Sequence, residues 1–221
     1  MRFATPKQLL WMGLIFVTSI SGAGFTYASA SGSTSSTILV VGDSLSAAYN
    51  IPRESGWVSL LRDQLQKVAP GATVVNGSVS GATTAAGLEV LPEYLHEHKP
   101  NLVILELGAN DGLQGKPINY IRANLTRLIQ LSLDADAQVI LVGVRLPPNY
   151  GIHYTEPFFN QYAQLAHTYE LGYVPFILDG VAGNDGLMQE DGLHPVAEAQ
   201  PLILDNVWPA VAAILKGVSG G

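Results

Sequence analysis

A single three-layer α/β/α domain built on a five-stranded parallel sheet is the fold this sequence predicts, and three observations predict it. Short β-branched runs alternate with longer segments of helical periodicity, which is a βαβ rhythm. The short runs are nearly continuous in Val, Ile and Leu, as strands covered on both faces must be. The chain has 221 residues, 48% apolar and 13% charged, enough for one substantial core and too few charges for disorder.

Residues 1–30 stand outside that rhythm. Arg2 and Lys7 precede an apolar run over 9–20, and Ala28-Ser29-Ala30 follows it, which reads as a secretory signal peptide cleaved before Ser31. The run is short against the roughly 20 residues of a membrane span, so an uncleaved anchor is the weaker reading and no stable span is expected after cleavage. Residues 31–36 form a Gly/Ser/Thr lead-in, and 37–221 form the domain.

Of the 11 Lys and Arg, two lie in the leader, which holds none of the 18 Asp and Glu, so the mature chain carries a formal charge of −9. Nucleic acid is therefore not an expected partner, because phosphate binding needs a basic face. The chain has no Cys, so an exported protein of this kind gains its stability from packing alone. These features fit a bacterial enzyme of the periplasm or the medium, and a monomer.

The first strand falls at 37–41, and Trp57, Leu61, Leu65 and Val68 then share one face of a helix. A second strand at 73–76 leads to a helix over 83–98. A third at 102–107 leads to a helix carrying Ile118, Ile121, Leu125, Leu128 and Ile129. A fourth strand at 138–144 precedes a helix over 155–171, and a fifth is expected at 174–178. Two helical pieces follow His194, because Pro195 and Pro201 each suit a helix start. Sites in such sheets gather beyond the carboxyl ends of the strands.

The first strand runs into Gly42-Asp43-Ser44-Leu45-Ser46, which puts Ser44 at an expected helix start. There its own N–H and the helix dipole would favour an oxyanion, although Ser is also a common N-cap. Near the other end, Asp191-Gly192-Leu193-His194-Pro195 sets an acid and an imidazole three residues apart. A Ser nucleophile needs a base and an acid to orient that base, and this pair supplies both. The order Ser, Asp, His is that of α/β-hydrolases, but their G-x-S-x-G elbow is absent.

His96 and His98 sit in a charged helix end, and His153 and His167 lack an acid of similar placement. Asp179, Asp185, Glu190, Asp191 and His194 match no metal-binding spacing, so no metal is expected. The third strand leads into Gly108-Ala109-Asn110-Asp111, and the second is followed by Gly81. The Asn110 amide and the Gly81 N–H could join the Ser44 N–H as oxyanion donors, or both residues could serve only in turns. Neither nucleotide-binding glycine motif occurs.

Together these four blocks resemble the SGNH, or GDSL, hydrolase family over about 37–201. The stretches 42–47, 106–113 and 145–151 are most similar to its exported branch of acyl-CoA thioesterase I, lysophospholipase and arylesterase enzymes. Ala109 departs from a second Gly common in that branch. The resemblance implies a flavodoxin-like sheet, no cofactor, and hydrolysis of carboxylic esters or thioesters, lysophospholipids among them. It implies a triad of Ser44, Asp191 and His194, an oxyanion hole of Ser44, Gly81 and Asn110, and an acyl-enzyme on Ser44. Leu113, Leu146, Pro147, Pro148 and Tyr150 are the expected substrate-binding residues, unless they only pack the loops. A carbohydrate O-acetylesterase of the same family and a catalytically inactive binding module are the alternatives.

Overall fold

A computed structural model describes residues 36–218. The expected leader over 1–30, nearly all of the lead-in and residues 219–221 lie outside the described residues. Strands β1 (Thr37–Gly42), β2 (Thr73–Asn76), β3 (Leu102–Glu106), β4 (Gln138–Val142) and β5 (Gly172–Val174) form one sheet in the order β2-β1-β3-β4-β5. Every pairing is parallel. Central β1 and β3 are almost wholly buried, whereas edge strand β2 is half-exposed. The uninterrupted Val/Ile/Leu runs thus mark the strands that helices cover on both sides.

The helices are α1 (Trp57–Val68), α2 (Thr84–His98), the short α3 (Ala109–Leu113), α4 (Ile118–Asp134), α5 (Ile152–Thr168) and α6 (Gln200–Val218). Helices α1 and α6 pack together, while α2 packs on α4 and α4 on α5, which gives the two outer layers. Buried side chains also bind helix ends. Gln200 Oε1 accepts from the Trp57 N–H at 3.0 Å, joining the start of α1 to the start of α6. The buried Asp111 takes both the N–H and the hydroxyl of Thr84 at 2.7 Å, so α3 caps the start of α2 with a negative charge.

Three expectations are corrected here. The fifth strand occupies Gly172–Val174 and not 174–178, because Pro175 has no N–H and the ladder stops there. Ile177 and Leu178 are buried in the loop beyond it. After His194 there is one long helix, α6, preceded by a single 3-10 turn at Ala197–Ala199. Pro201 does lie in the first turn of α6, but Pro195 bridges Met188 in extended pairing. Helix α5 begins at Ile152, three residues earlier than periodicity suggests.

The order β2-β1-β3 means that the chain leaves β1 to one side and, after β2, crosses to the other. A crevice opens where neighbouring strands send their connections in opposite directions, here between the carboxyl ends of β1 and β3. Just after β3, helix α2 comes close to the sheet. A Cβ at Gly87 of α2 would lie 2.4 Å from Leu107 Cδ1, just after β3 and fully buried. Gly87→Val should therefore destabilise the fold by about 1–3 kcal/mol through overpacking, read as a lower melting temperature. An unchanged melting temperature would show that the contact relaxes freely.

Candidate active site

Strand β1 delivers Ser44 to the crevice through Gly42, whose absent side chain is a steric requirement. A Cβ there would meet Glu106 Oε2 and Ser46 Oγ, each at 2.7 Å. The expected helix start at Ser44 is not found: residues 44–50 form a turn, and the next α-helix begins at Trp57. Ala48 and Asn50 adopt left-handed backbone (φ 59° and 56°), which ends any helical path. The Ser44 N–H thus owes nothing to a helix dipole. The turn is held by Ala47 N–H donating to Asp43 O at 2.9 Å and Asn76 Nδ2 donating to Ser46 O at 2.8 Å.

The loop before α6 brings His194 to this turn. His194 Nε2 lies 2.9 Å from Ser44 Oγ, and Nδ1 lies 2.6 Å from Asp191 Oδ2. Asp191 Oδ1 meanwhile accepts the N–H groups of Leu193 and His194 at 2.9 and 3.0 Å. One carboxylate oxygen fixes the backbone of the loop and the other fixes the ring, which is what the three-residue spacing provides. Desolvation pushes the Asp191 carboxyl up, but the hydrogen bonds from His194 and Leu193 and the imidazole charge outweigh it and bring it to about 2. An ionised Asp191 can only accept, so Nδ1 carries the ring proton and Nε2 faces Ser44 with its lone pair.

Side chains that sequence reading did not single out tie this loop to the Ser44 turn. Gln189 Nε2 donates to both Tyr49 O and Pro195 O at 3.0 Å, and Asn50 Nδ2 donates to Gln189 Oε1 at 3.0 Å. The Tyr49 ring lies over the imidazole with centroids 4.4 Å apart. No spacing links residues nearly 140 positions apart, so only the fold could reveal them.

Asn110 stands in the first turn of α3, where Nδ2 donates to Asp43 Oδ2 and to Ala82 O, each at 3.1 Å. Both amide hydrogens are therefore occupied, one by a carboxylate that aims the group and one by a carbonyl beside Gly81. Among the described residues, the Ser44 and Gly81 N–H groups donate to no protein acceptor. The buried Asp43 also accepts the Leu45 N–H at 3.1 Å. Its carboxyl is raised to about 6 by desolvation, against the pull of its donors and of His194.

Ser44, Asn110 and His194 open into a cavity of about 240 Å³ whose lining includes Leu113, Leu146 and Pro147. A larger groove of about 640 Å³ adjoins it, shares Leu146 and Pro147, and adds Pro148. Tyr150 lines neither space, contrary to expectation; its hydroxyl donates to Leu113 O at 2.9 Å and braces α3 from outside. Arg145, Phe176 and Leu178 line both, though none is among the expected substrate-binding residues. The Arg145 guanidinium lies 3.7 Å from the centroid of the Phe159 ring. Leu178 had been assigned to a strand.

Known proteins resemble the chain over most of its length. Over 179 residues, 81% of this chain and 89% of the other, the chain is 46% identical to Esterase TesA of Pseudomonas aeruginosa. It is 40% identical to Thioesterase 1/protease 1/lysophospholipase L1 of Escherichia coli K12, across 79% of this chain and 81% of that one. Among solved structures, the psychrotrophic esterase EstA of Pseudoalteromonas sp., inhibited by monoethylphosphonate, superposes with a TM-score of 0.77 at 39% identity, covering 81% of this chain and 98% of that one. Residues 40–200 match the GDSL-like Lipase/Acylhydrolase family, and the chain belongs to it.

Proposed function

We propose that this hydrolase of ester bonds cleaves carboxylic esters and thioesters through an acyl-enzyme on Ser44. One observation carries the reading: the line Ser44 Oγ, His194, Asp191 at 2.9 and 2.6 Å, opening on an apolar cavity beside two unspent backbone N–H groups. Neutral His194 takes the Ser44 proton as Oγ attacks the acyl carbonyl, and Asp191 steadies the imidazolium. The N–H groups of Ser44 and Gly81 receive the oxyanion. Asn110 joins them by turning one amide hydrogen from Ala82 O to the substrate, an exchange of one acceptor for a charged one. The imidazolium then gives its proton to the leaving alkoxide or thiolate, and water repeats the sequence on the acyl-enzyme.

The lining of Leu113, Leu146 and Pro147 supports acyl chains over sugars as the recognised group. Arylesters, acyl thioesters and lysophospholipids are the substrate classes to which this reading and the names of the relatives point. The leader signature over 1–30 supports export to the periplasm or the medium. No helix among the described residues is long and apolar enough to cross a membrane.

Ser44→Ala should give a folded protein with almost no p-nitrophenyl ester hydrolysis, since it deletes one hydroxyl at the cavity wall. A fluorophosphonate probe should label Ser44 alone in the parent; labelling of Ser46 would refute the assignment. Activity should rise with pH through about 6, where the buried Asp43 carboxyl that holds the Asn110 amide ionises, and only a neutral imidazole can take the Ser44 proton. A flat pH-rate profile from mildly acid to neutral pH would count against His194 as the base. Asn110→Ala should lower kcat by about 10²- to 10³-fold with little change in KM. It should also cost about 1–3 kcal/mol, because buried Asp43 loses a donor. A near-normal kcat in the folded fraction would restrict Asn110 to bracing the loop.

A further inference from the structure

Behind Ser44 lie two carboxyl groups that the hydrolysis steps leave unused. Asp43 is 1% exposed and Glu106 is fully buried. Strand register sets Glu106 beside Gly42, so its side chain reaches under the turn that carries Ser44. Glu106 Oε2 accepts the Asp43 N–H at 3.2 Å and lies 2.8 Å from Ser46 Oγ. Asp43 in turn accepts from Leu45 N–H and Asn110 Nδ2. A single network therefore touches the residues flanking Ser44 and the amide assigned to the oxyanion.

The surroundings decide the charge of this pair. Among the described residues, no Lys or Arg forms an ion pair with either acid. The titratable groups that face them are Tyr162 of α5, Asp111 of α3 and the His194 imidazole. Tyr162 gives its hydroxyl to Leu107 O at 3.0 Å, and Asp111 is engaged by Thr84. Two adjacent carboxylates without a cation cost far more than one carboxylate and one acid. Asp43 holds the donors that suit an anion. Glu106 Oε1 is buried with no hydrogen-bond partner, a place that an ionised oxygen could not occupy cheaply. Complete burial, and then the Asp43 charge, push the Glu106 carboxyl well above its ordinary value.

We propose that Glu106 is a positioning residue, a buried neutral acid that locks the Asp43 carboxylate, the Asn110 amide and the Ser44 turn into the geometry that ester cleavage needs. This inference rests on the acyl-enzyme reading above. It explains why an acid is placed where an apolar residue would pack, and why position 42 is a glycine. It also carries a signature in stability. Above the ordinary carboxyl value of 4.5 the unfolded chain loses the Glu106 proton while the folded chain keeps it, so stability falls as pH rises through that window.

The test compares the full chain with Glu106→Gln and Glu106→Leu. Glu106→Leu should lower kcat for p-nitrophenyl butyrate about tenfold or more, with KM within about twofold. Glu106→Gln, neutral and of the same shape, should recover kcat to within about threefold of the parent. It should also flatten the decline of stability as pH rises above the ordinary carboxyl value of 4.5. Infrared spectra of the parent at neutral pH should show a protonated-carboxyl band that Glu106→Gln removes. An unchanged kcat in a folded Leu variant overturns the inference, as does a Gln variant no better than Leu. Absence of the infrared band overturns it too, and decides the matter if the Leu variant does not fold. A parent that neither hydrolyses the ester nor labels at Ser44 overturns the acyl-enzyme reading instead, and the inference with it.

Discussion

Strands β1 and β3 run side by side in parallel with Gly42 opposite Glu106, and the site depends on that one register. Because parallel neighbours end at the same side of the sheet, the turn after β1 and the short helix after β3 emerge together. Ser44 comes from the first and Asn110 from the second. A slip of one residue would turn every side chain of a strand to its other face and carry Glu106 away from the Ser44 turn. Both strands are buried on both faces, so such a slip would disrupt the fitted packing of their Val, Ile and Leu side chains against the helices. The core therefore sets the distance between Ser44 and its neighbours before any polar contact forms.

Polar contacts then refine what the register allows, and they do so at a cost to stability. Asp43, Glu106 and Asp111 are buried acids within a few residues of one another in space. Asp111 is compensated by two short hydrogen bonds at the positive start of α2. Asp43 has its donors but no cation, and Glu106 takes both of its donors on Oε2 and leaves Oε1 without a partner. An interior optimised for stability alone would not keep them. Their grouping behind Ser44 and Asn110 fits the general observation that perturbed titratable groups collect where chemistry is done.

The His194 loop obeys a different logic. It belongs to no strand or helix, so the sheet does not position it. Asp191 acts on both its backbone and its ring, while Gln189 and Tyr49 fasten it to the Ser44 turn. Such a loop keeps the imidazole in place through hydrogen bonds whose partners are far apart in the chain. The cavity beside it is framed by the same loop and by the segment after β4, so Ser44, His194 and the apolar lining share one crevice.

By itself, the sequence determined the layers, the parallel sheet and the local groupings. Burial on both faces requires continuous apolar runs, one helical face requires a 3.6-residue period, and an Asx-held turn requires its acid a few residues from the groups it binds. Ser44, Asp191, His194 and Asn110 were legible for the same reason, each lying in a short block of chemically suggestive neighbours. Where the local signal was ambiguous it misled: Ile177 and Leu178 look like a strand but line a loop, Ser44 looks like a helix start but sits in a turn, and Tyr150 looks like a substrate contact but supports α3. Only the tertiary structure placed Glu106, Gln189, Tyr49 and Arg145 around the Ser44 turn and its cavity. Their neighbours lie from 14 to about 145 residues away, brought close by sheet register and loop closure, and burial and charge are properties of that assembled neighbourhood rather than of any residue type.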